Sequence, residues 1–587
     1  MVVFGSLWCL AATCAAWALW CLVLWQPGGS GPQHMREVRA HELGHMRDFI
    51  QDRNRRHAAW RPPHKRTPPR AAVSLVDSRT APPPLPRPPP PPSVPLEGPS
   101  TVCLAWRAYR GGGTCWATPP VRDPPRDRYC SAEVRGPGHC EVADVTYGQG
   151  GVLLGGVKRA VMTRQCGAFP AVVRCADAPE FAAFAAASLA FSYPAAAEAR
   201  QAQQDGDPAP APRGIVMAIH DGLVVSAYAV VRLLRHHGCA LPVEMWAFPG
   251  ELTRRHAAYL DQLVGMPGVA LREVAAGKAA LCKDPKRCFA IKPYALFHTR
   301  FDQVMLLDAD NFPVRDPTYL FDTPEFRDTG ALFWPDFWHP RDTIFQVHRA
   351  NMVWELLGIP FVDMFEQESG QLLVDRTRHE APLHLVMYYA KPENLLWRWN
   401  LVWGDKDLYR LAWMRAGAAF HMVQTPPGAA GPVNSGRVCG LTMVQHDPAG
   451  QPIFFHRNMY KMGRSRASRA QVWQVYVHFD ASHSLSAYQM EPWTPPMWYH
   501  FPVRSCYGHI PASGKAGTAA VSEAGLLGPW SLRQVSGDRE LGGLEPRILA
   551  LAKEAAAAIC KDAAPFTLKS MPMLLRLHCW MGATFDL

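Results

Sequence analysis

The chain has 587 residues, enough for two to four domains, and 48% of them are hydrophobic, so at least one large core can form. The formal net charge is +11, and much of the excess comes from Arg and Lys in 36–70. This basic segment directly follows an apolar N-terminus, where a solvated linker is the usual structure, so we predict no nucleic-acid partner.

The first element is an apolar N-terminal segment. Residues 2–25 carry no charge and are long enough to cross a bilayer with some tilt. They lack the basic start and short core of a cleaved signal peptide, so we predict a signal anchor over 1–27. Because Arg residues follow the segment, the positive-inside rule taken alone argues against a lumenal C-terminus. The cysteine content nevertheless favours an oxidising lumen, so we expect a single-pass type II membrane protein.

Residues 28–99 are predicted to be a basic and Pro-rich stem. The second half contains the run APPPLPRPPPPPSVP, which favours an extended, semi-rigid spacer without a core. The first half matches the HExxH zinc-protease pattern between His41 and His45. A zinc-protease helix lies inside a folded domain and needs a third ligand, whereas this stretch is Arg-rich and has no apolar helix face. We therefore reject a protease function.

Residues 100–200 are predicted to be a small, β-rich module stapled by disulfides. The chain has 16 cysteines, of which three lie in the anchor and six cluster at Cys103, Cys115, Cys130, Cys140, Cys166 and Cys175. No CxxC occurs, which disfavours zinc ribbons and thioredoxin-like motifs. The 13 cysteines outside the anchor are an odd number, so at least one thiol is free or pairs between chains. The connectivity of the cysteines stays open.

A regular alternation of strands and helices begins at Gly214. The hydrophobic periodicity predicts strands at 214–219, 243–248, 269–274 and 304–307, and helices at 223–234, 254–264 and 292–300. Such alternation is typical of a parallel sheet with crossover helices. There is no GxGxxG or Walker pattern, which weighs against dinucleotide enzymes and P-loop ATPases. We predict an α/β domain over 201–463 and a C-terminal extension over 464–587 that contains one helix at 545–559.

The most informative motif is the DxD sequence that follows the 304–307 strand. Asp308 and Asp310 are one residue apart, so both carboxylates can face one point at the carboxyl end of a strand. Open α/β sheets bind ligands at that end, and hard oxygen ligands there suit Mg²⁺ or Mn²⁺ bridging to phosphates. Taken alone, the motif is a weak signal that more often marks an ordinary turn, because Asp and Asn commonly follow strands.

Further sequence islands follow in a fixed order. They are Trp334–Trp338 (WPDFW), Glu368–Gln371 (ESGQ), Gly404–Asp407 (GDKD) and His456–Lys461 (HRNMYK), with Lys292 upstream of the DxD motif. Taken singly, each has a structural explanation: the Trp pair as packing, ESGQ as a turn, GDKD as a solvated loop and the histidine as a structural residue.

In combination, the islands resemble a known family. Together with GIVMAI (214–219), LPVEMW (241–246) and the segment 292–321, their order is similar to the fungal-type Golgi α-mannosyltransferases that extend mannans. A weaker likeness to glycogenin-type transferases involves the same positions. The resemblance covers about 250 of the 587 residues. It implies a GT-A fold, that is, a Rossmann-like nucleotide-sugar-binding catalytic domain.

The resemblance also implies residue roles. Asp308, Asp310 and His456 would hold Mn²⁺ or Mg²⁺, and Lys461 would contact the departing diphosphate. The other assigned residues are Lys292 near the donor, Asp405 by the reacting sugar carbon, and Glu368 and Asp336 at donor or acceptor hydroxyls. The expected partners are a nucleotide sugar and a glycan acceptor.

The expected function is retaining transfer of mannose from GDP-mannose to a glycan in the Golgi lumen. One alternative keeps the fold and uses a UDP-sugar donor, because base choice depends on the loops after Ile219 and Phe248. Another is a lectin-like scaffold without catalysis, which the complete set of site residues disfavours. Two features depart from the family pattern: the Cys-rich module lies outside the resemblance, and the chain has no Asn-x-Ser/Thr sequon.

Overall fold

The computed structural model describes residues 100–562 except 112–119, 148–152, 166–171, 194–210, 253–262, 264, 276–280, 283–287, 341–342, 344–346, 435–436, 464–468, 491, 494–505, 508–525 and 528. The predicted anchor, the stem with its HExxH pattern, Cys115 and Cys166 lie outside these residues, as does nearly all of the predicted 254–264 helix. Within the part of the chain that is described, none of the helices combines the length and apolar character needed to cross a bilayer.

The first part of the described chain is a small β-rich unit. Its elements are β1 (Ser100–Ala108), β2 (Glu133–Val134), β3 (Gly138–Tyr147), β4 (Leu153–Arg164), β5 (Val173–Arg174) and α1 (Ala178–Ala190). Strands β1, β3 and β4 form an antiparallel sheet in that order, and β2 pairs with β5. The β-rich character expected of this region is thereby confirmed.

Disulfides staple this unit and two later loops. Cys103 bonds to Cys130, and Cys140 bonds to Cys175, which confirms the stapling for four of the six clustered cysteines. Two further bridges join Cys282 to Cys288 and Cys439 to Cys506. Among the described residues Cys239 is a buried cysteine outside any disulfide, which agrees with the odd cysteine count.

The central part alternates strands and helices. Its elements are β6 (Ala211–Ala218), α2 (Val224–His236), β7 (Val243–Ala247), β8 (Val269–Glu273), α3 (Ile291–His298), β9 (Phe301–Leu307), β10 (Asn311–Pro313), α4 (Pro324–Thr329), β11 (Ala331–Pro335), α5 (Val353–Leu357), β12 (Gln367–Asp375), α6 (Glu380–Tyr389), α7 (Leu395–Arg398), α8 (Leu408–Ala416) and β13 (His421–Met422). Apart from the helix at 254–264, every strand and helix predicted in this region is present within a few residues of its expected bounds.

Seven strands form the central sheet in the order β13-β11-β12-β9-β6-β7-β8. Strands β9, β6, β7 and β8 are parallel, as predicted, but β12 runs antiparallel to both β9 and β11. The parallel arrangement predicted for these four strands is therefore confirmed, and the strands that the sequence did not predict make the whole sheet mixed. The reversal brings the start of β12 to the end of β9, where Gln371 pairs with Leu307.

The central sheet is buried on both faces. Along β9, Val304 and Leu306 belong to one hydrophobic cluster, whereas Met305 and Leu307 belong to the other. Successive side chains of a strand point to opposite faces, so the continuous apolar run reflects helices or sheets packed on each side. The two-sided core holds the carboxyl end of β9, and hence Asp308, in a rigid position.

A second, antiparallel sheet packs beside the first. The remaining elements are β14 (Gly428–Gly431), β15 (Val433–Asn434), β16 (Arg437–Val438), β17 (Thr442–His446), β18 (Pro452–His456), β19 (Val475–Phe479), β20 (Pro492–Trp493), β21 (Cys506–Tyr507), β22 (Leu526–Leu527), β23 (Trp530–Gln534) and α9 (Leu544–Asp562). The sheet order is β10-β18-β17-β14-β19-β23-β22. Strand β14, which precedes the predicted boundary at residue 463, pairs with β19, which follows it. Helix α9 confirms the helix predicted at 545–559. The domain boundaries inferred from the sequence remain predictions.

The Cys-rich unit shares a core with the central sheet. Phe181 and Phe184 of α1 pack against Trp399 and Tyr389, in the same cluster as Val304 of β9. The carboxylate of Glu355 accepts hydrogen bonds from the backbone N–H groups of residues 162 and 163 in β4. Apolar packing and these hydrogen bonds therefore both fix this unit to the α/β domain.

Candidate active site

The DxD motif lies where the chain passes from one sheet to the other. Asp308 follows β9 of the central sheet, and Asp310 precedes β10 of the antiparallel sheet. The connection is a tight turn in which the N–H of Asn311 donates to the carbonyl of Asp308 at 3.0 Å. Because β9 and β10 both pack in one hydrophobic cluster that the two sheets share, the turn between them is fixed at both ends.

His456 completes a group with the two aspartates. It ends β18, which pairs with β10 so that His456 lies opposite Asn311. Ligand atoms of Asp308, Asp310 and His456 all lie within 4.8 Å of one another. The His456 Nε2 atom is 3.2 Å from Asp310 Oδ1 and 3.8 Å from Asp308 Oδ2. The structure thus brings together the three residues to which the sequence assigned the metal.

The donor set suits a hard divalent cation. Two carboxylates supply oxygen ligands of the kind that Mg²⁺ and Mn²⁺ prefer, and imidazole is acceptable to Mn²⁺. Both ring nitrogens of His456 are buried and make no hydrogen bond of standard geometry, which leaves an imidazole nitrogen for a metal. The residues present therefore fit the predicted ion.

Lys461 contributes positive charge at the same point. Its ammonium group forms an ion pair with Asp310, whose side chain is almost fully buried. Burial raises the pKa of Asp310, but the charges of Lys461 and His456 outweigh it and hold the pKa well below its usual range. Asp310 is therefore an anion at neutral pH.

Lys292 occupies the opposite side of Asp308. Its Nζ lies 2.8 Å from Asp308 Oδ1 and 3.7 Å from Asp405 Oδ1. The Tyr409 hydroxyl donates to Asp405 Oδ2 at 3.1 Å. Burial lowers the pKa of Lys292, yet Asp308 and Asp405 more than compensate, so the net pKa is raised. Lys292 is therefore a fixed cation between two acids that lie almost 100 residues apart in sequence.

Glu368 is packed behind the histidine. Its Oε1 lies 3.6 Å from His456 Nδ1 and accepts a hydrogen bond from the Gly370 N–H at 2.7 Å. Burial raises the pKa of Glu368 to about 7, although the charge of His456 opposes the shift. A carboxylate beside the second nitrogen of a ligand histidine orients the ring. The structure therefore places Glu368 against His456, where it can orient the imidazole.

Gly370 allows this close packing. A Cβ atom at position 370 would lie 2.5 Å from His456 Nδ1 and 2.6 Å from its Cε1. The Gly370 carbonyl also accepts from the N–H of Asp308 at 2.8 Å, so this backbone cannot retreat without breaking the bond. A side chain at position 370 and the observed position of His456 are therefore incompatible.

We expect Gly370→Ala to displace His456 and weaken binding of a divalent cation. Overpacking of this kind costs about 1–3 kcal/mol of unfolding free energy. The measurements are the melting temperature and the additional rise in melting temperature on adding MnCl2. Gly537→Ala is the matched control, because no atom lies within 4 Å of a Cβ built at Gly537. An unchanged response to MnCl2 in Gly370→Ala would contradict the inferred crowding.

Asp336 lies in a neighbouring buried cluster. Its Oδ2 is 2.7 Å from Lys406 Nζ, which also contacts Glu366 Oε2 at 2.5 Å. Lys406 is 3.9 Å from Asp407 Oδ2, and Asp407 pairs with Arg410 at 2.6 Å. The GDKD segment is therefore a buried charge network, and its interpretation as a solvated loop was wrong.

A cavity of about 570 Å³ opens beside the DxD motif. It is lined by residues at or just after the carboxyl ends of β6, β7 and β9, by residues just before and in the first turn of α3, and by Lys461 after β18. These residues are Ala218, Ile219, His220, Asp221, Leu223, Phe248, Glu251, Cys288, Phe289, Ile291, Lys292, Asp308, Ala309, Asp310 and Lys461. Parallel strands β6, β7 and β9 place their carboxyl ends at the same edge, which is the ligand edge of open α/β sheets. The cavity is large enough for a small-molecule ligand.

Sequence reasoning missed several of these residues. Tyr409 and Gly370 lie inside motifs that drew attention for their neighbours Asp405 and Glu368. The loops after β6 and β7 were expected near a base, but no signal singled out Asp221 or Glu251 within them. Gly370 matters because it contacts His456, which is 86 positions further along the chain, and the residues next to Gly370 in sequence do not indicate that contact.

The region around the site is similar to proteins of a known family. Residues 212–447 match the family model described as "Mannosyltransferase putative". The central segment of this chain is therefore similar to that mannosyltransferase family. The resemblance inferred from the sequence motifs is thereby confirmed.

Curated proteins similar to this chain are also mannosyltransferases. The chain is similar to α-1,2-mannosyltransferase MNN2 of Saccharomyces cerevisiae, at 25% identity over 308 residues, covering 45% of this chain and 50% of that protein. It is also similar to α-1,2-mannosyltransferase MNN22 of Candida albicans, at 27% identity over 197 residues, covering 27% of this chain and 33% of that protein. The chain thus spans half or less of the length of these relatives.

Among solved structures, the mannosyltransferase Ktr4p from S. cerevisiae in complex with GDP aligns at 10% identity with a TM-score of 0.26. The alignment covers 37% of this chain and 71% of that chain. A TM-score this low does not establish a shared fold.

Proposed function

We propose that this chain is a metal-dependent, retaining α-mannosyltransferase of the GT-A fold. It moves mannose from GDP-mannose to a glycan acceptor, using Mn²⁺. The observation that carries the proposal is the convergence of Asp308, Asp310 and His456 at one end of a cavity that follows the parallel strands. The match of residues 212–447 to a mannosyltransferase family supports the choice of sugar.

The charges around the cavity suit a sugar diphosphate. A divalent cation held by Asp308, Asp310 and His456 would neutralise the charge that develops on the departing diphosphate. Lys461 and Lys292 line the same cavity and add two positive charges. Preorganised charges in a site shielded from water stabilise a developing anion without reorganisation. The nucleotide end of the donor would extend toward the loops after β6 and β7.

Transfer breaks the bond between the anomeric carbon and the diphosphate oxygen and forms one to an acceptor hydroxyl oxygen. The transition state resembles an oxocarbenium ion, as in glycoside hydrolysis. We assign Asp405 to stabilise the cationic sugar, because its carboxylate lies 3.7 Å from Lys292, beside the cavity. The acceptor hydroxyl loses its proton as its oxygen bonds to the anomeric carbon, and we assign that proton to the departing diphosphate oxygen. Glu368, whose Oε1 lies 3.6 Å from His456 Nδ1, orients the imidazole.

We further propose that the protein resides in the Golgi membrane as a single-pass type II protein with a lumenal catalytic domain. The four disulfides among the described residues support an oxidising compartment. The uncharged segment 2–25 is the proposed anchor. Protease protection of sealed Golgi vesicles tests the topology, since a lumenal domain survives protease until detergent is added.

The decisive experiment uses the full-length chain purified in detergent. Radiolabelled GDP-mannose, UDP-glucose or UDP-galactose is incubated with α-mannobiose as acceptor, with MnCl2 or with EDTA. We expect transfer from GDP-mannose with MnCl2 and none with EDTA. GDP with MnCl2 should raise the melting temperature more than UDP does, because a ligand stabilises the fold that binds it.

Two results would count against the proposal in different ways. Transfer from a UDP-sugar alone would replace the donor and leave the fold and reaction class intact. Folded protein that neither transfers nor hydrolyses any donor in the presence of MnCl2 would favour a non-catalytic, glycan-binding role.

A further inference from the structure

A tryptophan beside the proposed site is exposed in an otherwise buried stretch. Every described residue from Leu401 to Trp413 is buried except Trp403 and Gly404. Trp403 is 55% exposed, whereas its neighbours Leu401 and Val402 are at most 5% exposed. Tryptophan is highly buried on average, so an exposed one within a core segment is informative.

The backbone around Trp403 is held in an unusual conformation. Asn400 has a φ of +50°, and Gly404 has a φ of +63°. A positive φ in a residue other than glycine is uncommon and persists where the surroundings enforce it. The buried residues on both sides anchor this turn, so Trp403 is presented to solvent by a rigid segment.

Phe289 is a second exposed aromatic residue next to Gly404. It is 40% exposed, and it lines the cavity beside Lys292. A Cβ atom built at Gly404 would lie 3.7 Å from the Phe289 ring, so the ring packs directly over Gly404. Its neighbour Cys288 is bonded to Cys282, which restrains this segment covalently.

Both aromatic residues lie next to the proposed site. Phe289 is part of the cavity wall, whereas Trp403 is not among the residues that line the cavity. Trp403 is joined through Gly404, over which the Phe289 ring packs, to Asp405, and Asp405 lies 3.7 Å from Lys292. The two residues therefore place exposed aromatic surface close to the acids and the lysine of the proposed site.

We propose that Trp403 and Phe289 form an aromatic platform that binds the acceptor sugar. The proposal rests on the proposed glycosyl transfer and specifies where its second substrate lies. A hexopyranose ring presents a face of C–H groups, which packs on an aromatic ring while its hydroxyls stay in water. Aromatic rings offer a large, rigid contact area at low conformational cost, which suits a neutral glycan that brings no charge.

The test compares Trp403→Ala and Phe289→Ala with the unmodified full-length protein. Binding of α-mannobiose is measured by isothermal titration in the presence of GDP and MnCl2, which needs no turnover. We expect the Kd to rise about tenfold in each variant, the loss expected for one aromatic contact of this size. Trp403→Phe should recover most of the affinity, because a ring is retained.

A second readout separates a platform from a structural role. Hydrolysis of GDP-mannose without acceptor should stay within about twofold of the unmodified protein in Trp403→Ala, while the KM for α-mannobiose rises. Tyr129→Ala, which removes an exposed aromatic of the Cys-rich unit, should change neither quantity.

The proposal is overturned by unchanged α-mannobiose affinity in Trp403→Ala, by a parallel fall in donor hydrolysis, or by absence of α-mannobiose binding to the unmodified protein. Failure of glycosyl transfer with all donors, alongside ring-dependent α-mannobiose binding, would instead overturn the proposed function and leave the platform intact.

Discussion

Asp310→Asn is expected to reduce transfer and donor hydrolysis by at least about 10³-fold, the effect of removing a key electrostatic group from an active site. The Asp310 carboxylate is buried, ionised and shared between His456 and Lys461, so the nearly isosteric amide removes the charge and little else. The fold should persist, because Lys461 is half exposed and can turn toward water, and His456 can lose its proton.

Metal binding is the readout that separates this prediction from a general loss of activity. The melting temperature of the unmodified protein should rise with MnCl2, and Asp310→Asn should abolish most of that rise. Asp322→Asn is the matched control, since Asp322 forms an exposed ion pair with Arg213. Activity within tenfold of the unmodified protein together with an intact MnCl2 response would remove Asp310 from the proposed metal site.

Lys406→Met should cause the largest loss of stability among the changes considered. Lys406 is buried and compensates Asp336 and Glu366 at 2.7 and 2.5 Å. Removing one partner of a buried ionic cluster leaves uncompensated charge and costs about 3–5 kcal/mol. Urea denaturation monitored by tryptophan fluorescence measures the change, and Lys158→Met at an exposed strand position serves as the control.

A compensating change tests the cause. Lys406→Met combined with Glu366→Gln should recover part of the lost stability, because the double variant buries one charge fewer. If the double variant is as unstable as the sum of the single variants, Lys406 stabilises through packing rather than through charge.

The deficit of Lys406→Met should also depend on pH. Burial raises the pKa of Glu366 from 4.5 to about 7, although the charge of Lys406 opposes the shift. A carboxyl whose folded pKa is raised contributes stability at low pH that is lost as pH rises through the folded pKa. At pH 5.5 Glu366 is mostly neutral with or without Lys406, whereas at pH 8 only Lys406 compensates its charge. We expect the deficit to be larger at pH 8 than at pH 5.5.

The sequence predicted the elements around the site because each has a local cause. The apolar run before Asp308 gives a strand buried on both faces, and helical spacing after Leu223 gives α2. Gly238, with a φ of +86°, follows the end of that helix, as its position predicted. The residues of the proposed metal group were also identified, because the order of the motifs matches a known family.

The direction of β12 could not be deduced in the same way. Alternation of strands and helices favours a parallel sheet, and hydrophobic periodicity is identical in either direction. Yet the reversed strand is what brings Glu368 and Gly370 beside Asp308 and His456.

Burial of charge was likewise decided by the fold. The motif GDKD has the composition of a solvated loop, and only the convergence of Asp336, Glu366 and Arg410 on it makes burial tolerable. Trp403 differs from its prediction in the opposite direction. An aromatic residue in an apolar stretch predicts core packing, whereas Trp403 is exposed.

By itself, the sequence determined which segments are strands and helices, since these depend on neighbours within about ten residues, and it predicted the site residues through the order of motifs along the chain. Only the tertiary structure decided the distances between Asp308, Lys292, Asp405 and His456, because these depend on sheet order, strand direction and register. Residues separated by up to 164 positions meet there, and no local pattern encodes such a distance.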